Sequence, residues 1–161
     1  LDYTYNFSGV VDLMGIRFDY PEDQVISKRW LGAGPYRVWQ NRIHGTQYDV
    51  WENDYNDPIP GETFTYPEFK GYFADVSWMN IQTKEGTINL TNETPDAYIG
   101  VYQPRDGRDR LLYTLPESGI SVLNVIPPVR NKVNSTDLCG PSSQPKWVNG
   151  PQTGRVIFRF M

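Results

Sequence analysis

The sequence predicts an all-β sandwich. Three observations predict it. Apolar and polar residues alternate with a period of two in segment after segment. Aromatic residues make up 14% of the chain and Gly (14) and Pro (13) are frequent, a balance that favours strands and turns over helices. Turn signals separate the alternating runs at short intervals, giving about eight to ten short strands. The 161 residues suit one domain able to bury a core without disulfide staples.

The elements follow in order. Tyr3, Tyr5 and Phe7 alternate with polar residues and form a first, half-buried strand. Met14, Ile16, Phe18 and Tyr20 repeat the pattern around Arg17 and Asp19, and Pro21 ends it. A third strand, 24–30, leads into a Gly-x-Gly-Pro turn, where glycine permits backbone angles that a Cβ resists and Pro35 fixes φ. Over 41–57, the spacings of Tyr48, Trp51 and Tyr55 fit one short amphipathic helix. Residues 57–61, rich in Pro and Gly, form a loop. From Phe73 to Ile81 the chain alternates again, with Trp78 assigned to the core. Gly86 then separates a hairpin whose second arm runs from Thr87 to Leu90.

The run from Asp96 to Tyr102 is a further strand. Arg105 to Arg110 is a charged hairpin tip containing Asp-Gly, and Leu111 to Leu115 resumes the apolar pattern. Gly119 to Ile126 is apolar and β-branched. Residues 127–154 read as a long ordered loop, with Trp147 suited to an interface with a neighbouring domain. Arg155 to Phe160 closes the chain as a strand that pairs into the sheet.

Composition also excludes functions. The net charge of −4 argues against nucleic acid, whose phosphates reward clustered Lys and Arg. No apolar run is long enough to cross a bilayer as a helix. Cys139 is the sole cysteine and His44 the sole histidine, so a disulfide, a Cys/His nucleophile pair and a His/Cys metal site are not expected. No cofactor is implied. Glycosylation triplets at Asn6, Asn89, Asn92 and Asn134 are short enough to arise by chance.

The functional signal lies in two aromatic stretches. The first runs Trp30-Leu-Gly-Ala-Gly-Pro-Tyr-Arg-Val-Trp-Gln-Asn-Arg42, and the second Tyr66-Pro-Glu-Phe-Lys-Gly-Tyr-Phe-Ala-Asp-Val-Ser-Trp78. Trp30, Tyr36, Arg37, Trp39 and Arg42 are the candidate substrate-binding residues. Indole faces stack on the C–H faces of pyranoses, and guanidinium forks hold hydroxyls or a carboxylate. Trp30 and Trp39 are equally suited to filling the core, and Arg42 to holding the turn through an acid. Glu68 and Asp75 are acids of the second stretch, but their spacing gives no reason to place them at the separation that glycoside hydrolysis needs. No catalytic residue is assigned.

The first stretch, written Trp30-Leu-Gly-x-Gly-Pro-x-x-x-Trp39-x-Asn41-Arg42, resembles the Trp-x-Gly-x-Gly-Pro-x-Glu-x-Tyr-x-Asp-Arg motif in the C-terminal domain of family 2 β-galactosidases. The second, Pro67-Glu68-x-x-Gly71-x-x-x-Asp75-Val76-Ser77-Trp78, is similar to that domain's Pro-Gln-Glu-x-Gly-x-x-x-Asp-Val-Arg-Trp. Arg37, Trp39, Asn41 and Ser77 depart from the pattern, where the family has Glu, Tyr, Asp and Arg. The resemblance implies a β-supersandwich of the galactose mutarotase-like kind spanning 1–161, as the C-terminal piece of a larger glycoside hydrolase. It also implies a separate TIM-barrel partner that carries the catalytic carboxylates, a galactoside-like glycan as ligand, and a periplasmic or secreted location. A self-standing carbohydrate-binding module is the alternative.

Overall fold

The computed structural model describes residues 1–55, 71–101, 119–128 and 140–161. The expected loop at 57–61, the charged tip and following strand at 105–115, Tyr66, Glu68, Asn134 and Cys139 lie outside the described residues.

Among the described residues there are nine strands: β1 (Asp2–Val11), β2 (Met14–Phe18), β3 (Val25–Gly34), β4 (Gln47–Asp54), β5 (Trp78–Thr83), β6 (Gly86–Asn92), β7 (Tyr98–Val101), β8 (Ile120–Val125) and β9 (Lys146–Phe160). They form a six-stranded sheet, β1-β9-β6-β5-β3-β4, and a three-stranded sheet, β2-β8-β7. Every pairing is antiparallel. The all-β sandwich read from the sequence is the architecture.

Register places the core. On the six-stranded sheet, Trp51, Trp30, Met79, Leu90 and Phe158 stand opposite one another from β4 to β9. Trp30, Met79 and Leu90 have no solvent exposure. They meet Ile99, Val101, Ile120 and Val122 of the smaller sheet in one apolar cluster. Burying such side chains is the main favourable term in folding.

Three expectations are corrected. Where a helix is expected over 41–57, Gln47–Asp54 forms strand β4. Pairing decides this: every residue of β4 stands opposite one of β3, and as an edge strand it packs one face and leaves the other to water. Trp78 is not core; it is half-buried on the face opposite Met79 and Ile81. Residues 146–154 of the expected long loop at 127–154 are strand instead: β9 begins at Lys146, its residues up to Arg155 pair with β1, and Val156 to Phe160 pair with β6. Trp147, opposite Val10 on that ribbon, is 70% exposed.

Candidate functional site

Strand β3 carries the first motif further than a turn reading suggests. The strand continues to Gly34, and neither Gly32 nor Gly34 has a positive φ. Crowding explains these two glycines. A Cβ at Gly34 would lie 2.4 Å from the Trp51 ring, and one at Gly32 would lie 3.0 Å from the Ala74 carbonyl oxygen and the Val76 Cα. The chain turns away only after the cis Gly34–Pro35 peptide bond.

The second motif crosses between the sheets. Phe73 exchanges backbone hydrogen bonds with Ile99 of β7, both 2.9 Å. Ala74 accepts from Ala33 N–H at 2.9 Å, and Ser77 N–H donates to Leu31 in β3. The crossing requires Asp75 at φ +52, a left-handed conformation that Asp tolerates better than most residues.

The two motifs are therefore joined. Val38 and Tyr72 exchange backbone hydrogen bonds of 2.7 and 2.8 Å. Trp39 and Tyr72 meet edge to face at 5.6 Å. Gly71, at φ +71, lets the backbones close: a Cβ there would sit 2.4 Å from the Val38 carbonyl oxygen and 2.9 Å from the Trp39 indole nitrogen. Val38, Trp39, Tyr72, Ala74, Leu123 and Ile126 then pack as a second cluster beside the smaller sheet.

A third segment locks the end of the first motif. Trp39 and Arg42 exchange backbone hydrogen bonds, which closes the turn. Gln40 N–H donates to the Pro127 carbonyl, and its side-chain amide donates to the carbonyls of Ser142 and Gln144. The Asn41 amide donates to Ser143 Oγ at 2.7 Å. The Asn41 side chain thus serves as a donor to the 140–144 segment.

The five candidate residues separate by burial. Trp30 is fully buried, donates its indole N–H to the Ala33 carbonyl at 3.1 Å, and stands edge to face with Phe73 at 4.8 Å. Trp39 is 3% exposed, and its indole nitrogen has no hydrogen-bond partner. Neither ring offers a face to an external sugar in this conformation. Tyr36 is 46% exposed and Arg42 is exposed. Arg37 is half-buried with its guanidinium over the Phe73 ring, 5.6 Å from the centroid. The structure thus brings Tyr36 and Arg37 to the rim of the motif and withdraws both tryptophans into it.

Sequence reasoning missed Lys28. It is 1% exposed, its ammonium donates to the Asp54 carbonyl at 2.8 Å, and it lies 5.8 Å from the centroid of the same Phe73 ring. Its place on the inward-facing register of β3 was readable once Trp30 was put inside, because the two are separated by one residue. Two cations on one buried ring make Phe73 an electrostatic anchor as well as a packing element.

His44 is an exposed loop residue. Among the described residues no group of three His, Cys, Asp or Glu side chains could hold a metal ion, and no helix is long and apolar enough to cross a membrane. Tyr98, beside the second cluster, has its phenol pKa raised from 10.0 by burial first, then by Asp75 and Asp96. No protein-family model matches this chain, and no curated protein matches it.

Proposed function

We propose that this chain is an accessory β-supersandwich domain of a family 2 glycoside hydrolase of the β-galactosidase type, silent in catalysis by itself. The observation that supports this reading is the junction of the two motifs. The stretches that carry the resemblance are remote enough in sequence to be independent, yet they meet through Val38, Trp39, Gly71 and Tyr72. Gly32 and Gly71, which match the family pattern, occupy points of close approach that a Cβ would obstruct.

In this reading the buried Trp30, Trp39 and Phe73 form a rigid base. The base holds Tyr36 and Arg37 where a neighbouring TIM barrel, carrying the catalytic carboxylates, would complete a galactoside-like site. Arg42 braces the closing turn at the surface. The phenol and the guanidinium can hydrogen-bond sugar hydroxyls, and a braced loop loses little entropy when they do. Action outside the cytoplasm follows from the same reading.

The test compares the isolated chain with the full polypeptide from which it comes. The isolated chain should leave 4-nitrophenyl β-galactoside unhydrolysed, and the full polypeptide should hydrolyse it. Tyr36→Ala or Arg37→Ala in the full polypeptide should lower kcat/KM about tenfold, equivalent to about 1.4 kcal/mol. Turnover by the isolated chain, or a full polypeptide without glycosidase activity, would reject the proposal.

A further inference from the structure

The two edges of the six-stranded sheet differ. One edge is β4, where Asp49, Glu52 and Asp54 are exposed acids. The other is β1, which is 10 residues long. Asp2 is the only charged residue of β1, and the Arg155 guanidinium lies 3.5 Å from its carboxylate. β1 has no proline and no lysine, and its register with β9 runs without a shift. Charges, prolines and bulges are the usual means of blunting an edge, because unpaired backbone groups recruit another strand.

The hydrogen-bond phase of β1 identifies its outward groups. Leu1 and Val156 exchange bonds: the Leu1 amine donates to the Val156 carbonyl at 2.8 Å, and Val156 N–H donates to the Leu1 carbonyl at 3.0 Å. Antiparallel bonding alternates along a strand, so Tyr3, Tyr5, Phe7, Gly9 and Val11 also turn their backbone groups to β9. Pro151 agrees with this phase. It has no N–H, and it stands opposite Asn6, a residue that turns away from β9. Asp2, Thr4, Asn6, Ser8 and Val10 therefore aim N–H and C=O at the outer edge, and their side chains are exposed. Among the described residues no strand pairs with that edge.

We infer that this edge is a dimer seam, on which a second copy of the chain lays its own β1 antiparallel about a two-fold axis through Asn6. A row of backbone donors and acceptors selects an extended polypeptide, and β1 complements itself. Asn6 is the middle one of the outward residues, so this register uses all of them: Asp2 faces the partner's Val10, Thr4 the partner's Ser8, and Asn6 the partner's Asn6. No like charges meet, and the polar pairs are of the kind that supports a sheet. Tyr5 comes opposite the partner's Phe7 at the closer, non-hydrogen-bonded spacing, an aromatic pair that covers a ring 39% exposed in the single chain. β4 lacks this complementarity, since its two-fold pairing would gather the acids of both copies on one seam. The inference rests on β1 alone and not on the glycosidase reading.

Sedimentation equilibrium of the 161-residue chain provides the test. A monomer–dimer equilibrium with Kd on the order of 10 µM is expected. Asn6→Lys sets two ammonium groups against each other on the axis and should weaken the dimer about tenfold or more, while Asp49→Lys on the opposite edge leaves it unchanged. Amide hydrogen exchange reads the seam without a variant. The N–H groups of Thr4, Asn6 and Ser8 should be protected above Kd and exchange freely in dilute solution. A chain that stays monomeric up to about 1 mM overturns the inference, as does an assembly larger than a dimer. So does a dimer that survives Asn6→Lys or is lost with Asp49→Lys, or protection of those amides that does not change on dilution.

Discussion

Trp30 and Trp78 stand on adjacent strands, and one residue of register separates their fates. Trp30 is opposite Met79, and Trp78 is opposite Leu31. Trp30 is sealed from solvent with its indole N–H satisfied by Ala33, whereas Trp78 is half-buried on the other side of the same sheet. In a strand each step of one residue exchanges faces, so two tryptophans of equal hydrophobicity serve opposite ends. The comparison teaches that the size of an aromatic side chain says little about its burial. Its neighbours at two-residue intervals say more: Trp78 shares its face with Asn80 and Gln82, and Trp30 shares its face with the inward Lys28 and Gly32.

The largest expected effect comes from breaking the buried partner. Trp30→Ala removes an indole from the core and leaves the Ala33 carbonyl without its donor; it should cost about 3–5 kcal/mol, read by chemical denaturation. Trp78→Ala should cost about 1 kcal/mol in the same assay. Equal losses at the two sites would erase the distinction.

Next in size is Gly71→Ala. It combines a left-handed backbone with a Cβ set against the Val38 carbonyl oxygen, and should destabilise by about 1–3 kcal/mol. Gly45→Ala is the control. Gly45 also has a positive φ, +91, but open space surrounds its Cβ position, so the loss should be smaller. A smaller loss at Gly71 than at Gly45 would show that the motif junction is looser than the packing here implies.

The smallest effect is a pH dependence. Burial raises the phenol pKa of Tyr98, helped by Asp75 and Asp96, and raises that of Tyr5, helped by Tyr3. Below the unfolded value of 10.0 both states are protonated, and the folded state keeps its full stability. As pH rises through 10 the unfolded chain releases its protons first, so stability falls until the folded phenols ionise. Tyr5 also donates its hydroxyl proton to Asn124 Oδ1 at 2.9 Å, a bond that ionisation removes. Tyr98→Phe and Tyr5→Phe should each flatten the alkaline fall in denaturation midpoint. An unchanged alkaline profile in both variants would show that neither phenol is coupled to folding.

Much of the fold was legible from particular residues. Tyr3, Tyr5 and Phe7 gave β1 because each lies on the same side of a period-two pattern, and Gly86 marked the β5–β6 hairpin, whose arms pair from Thr83 and Gly86 outward. The amphipathic helix over 41–57 failed because Tyr48, Trp51 and Tyr55 satisfy helical spacing by coincidence; β3 imposes the strand by pairing with the whole of β4. The candidate site was legible as a pair of motifs but not as a geometry. Nothing in the order of residues says that Gly34 faces the ring of Trp51 or that Arg37 and Lys28 share Phe73.

The sequence by itself determined the class of fold, since local alternation and turn residues act over a few residues and need no distant partner. Tertiary structure alone decided which tryptophan is inside, which glycine yields space rather than angle, and where the two motifs join. Those outcomes depend on register between strands far apart in the chain. Register is set by the collective burial of one face against another, a quantity that no single segment contains.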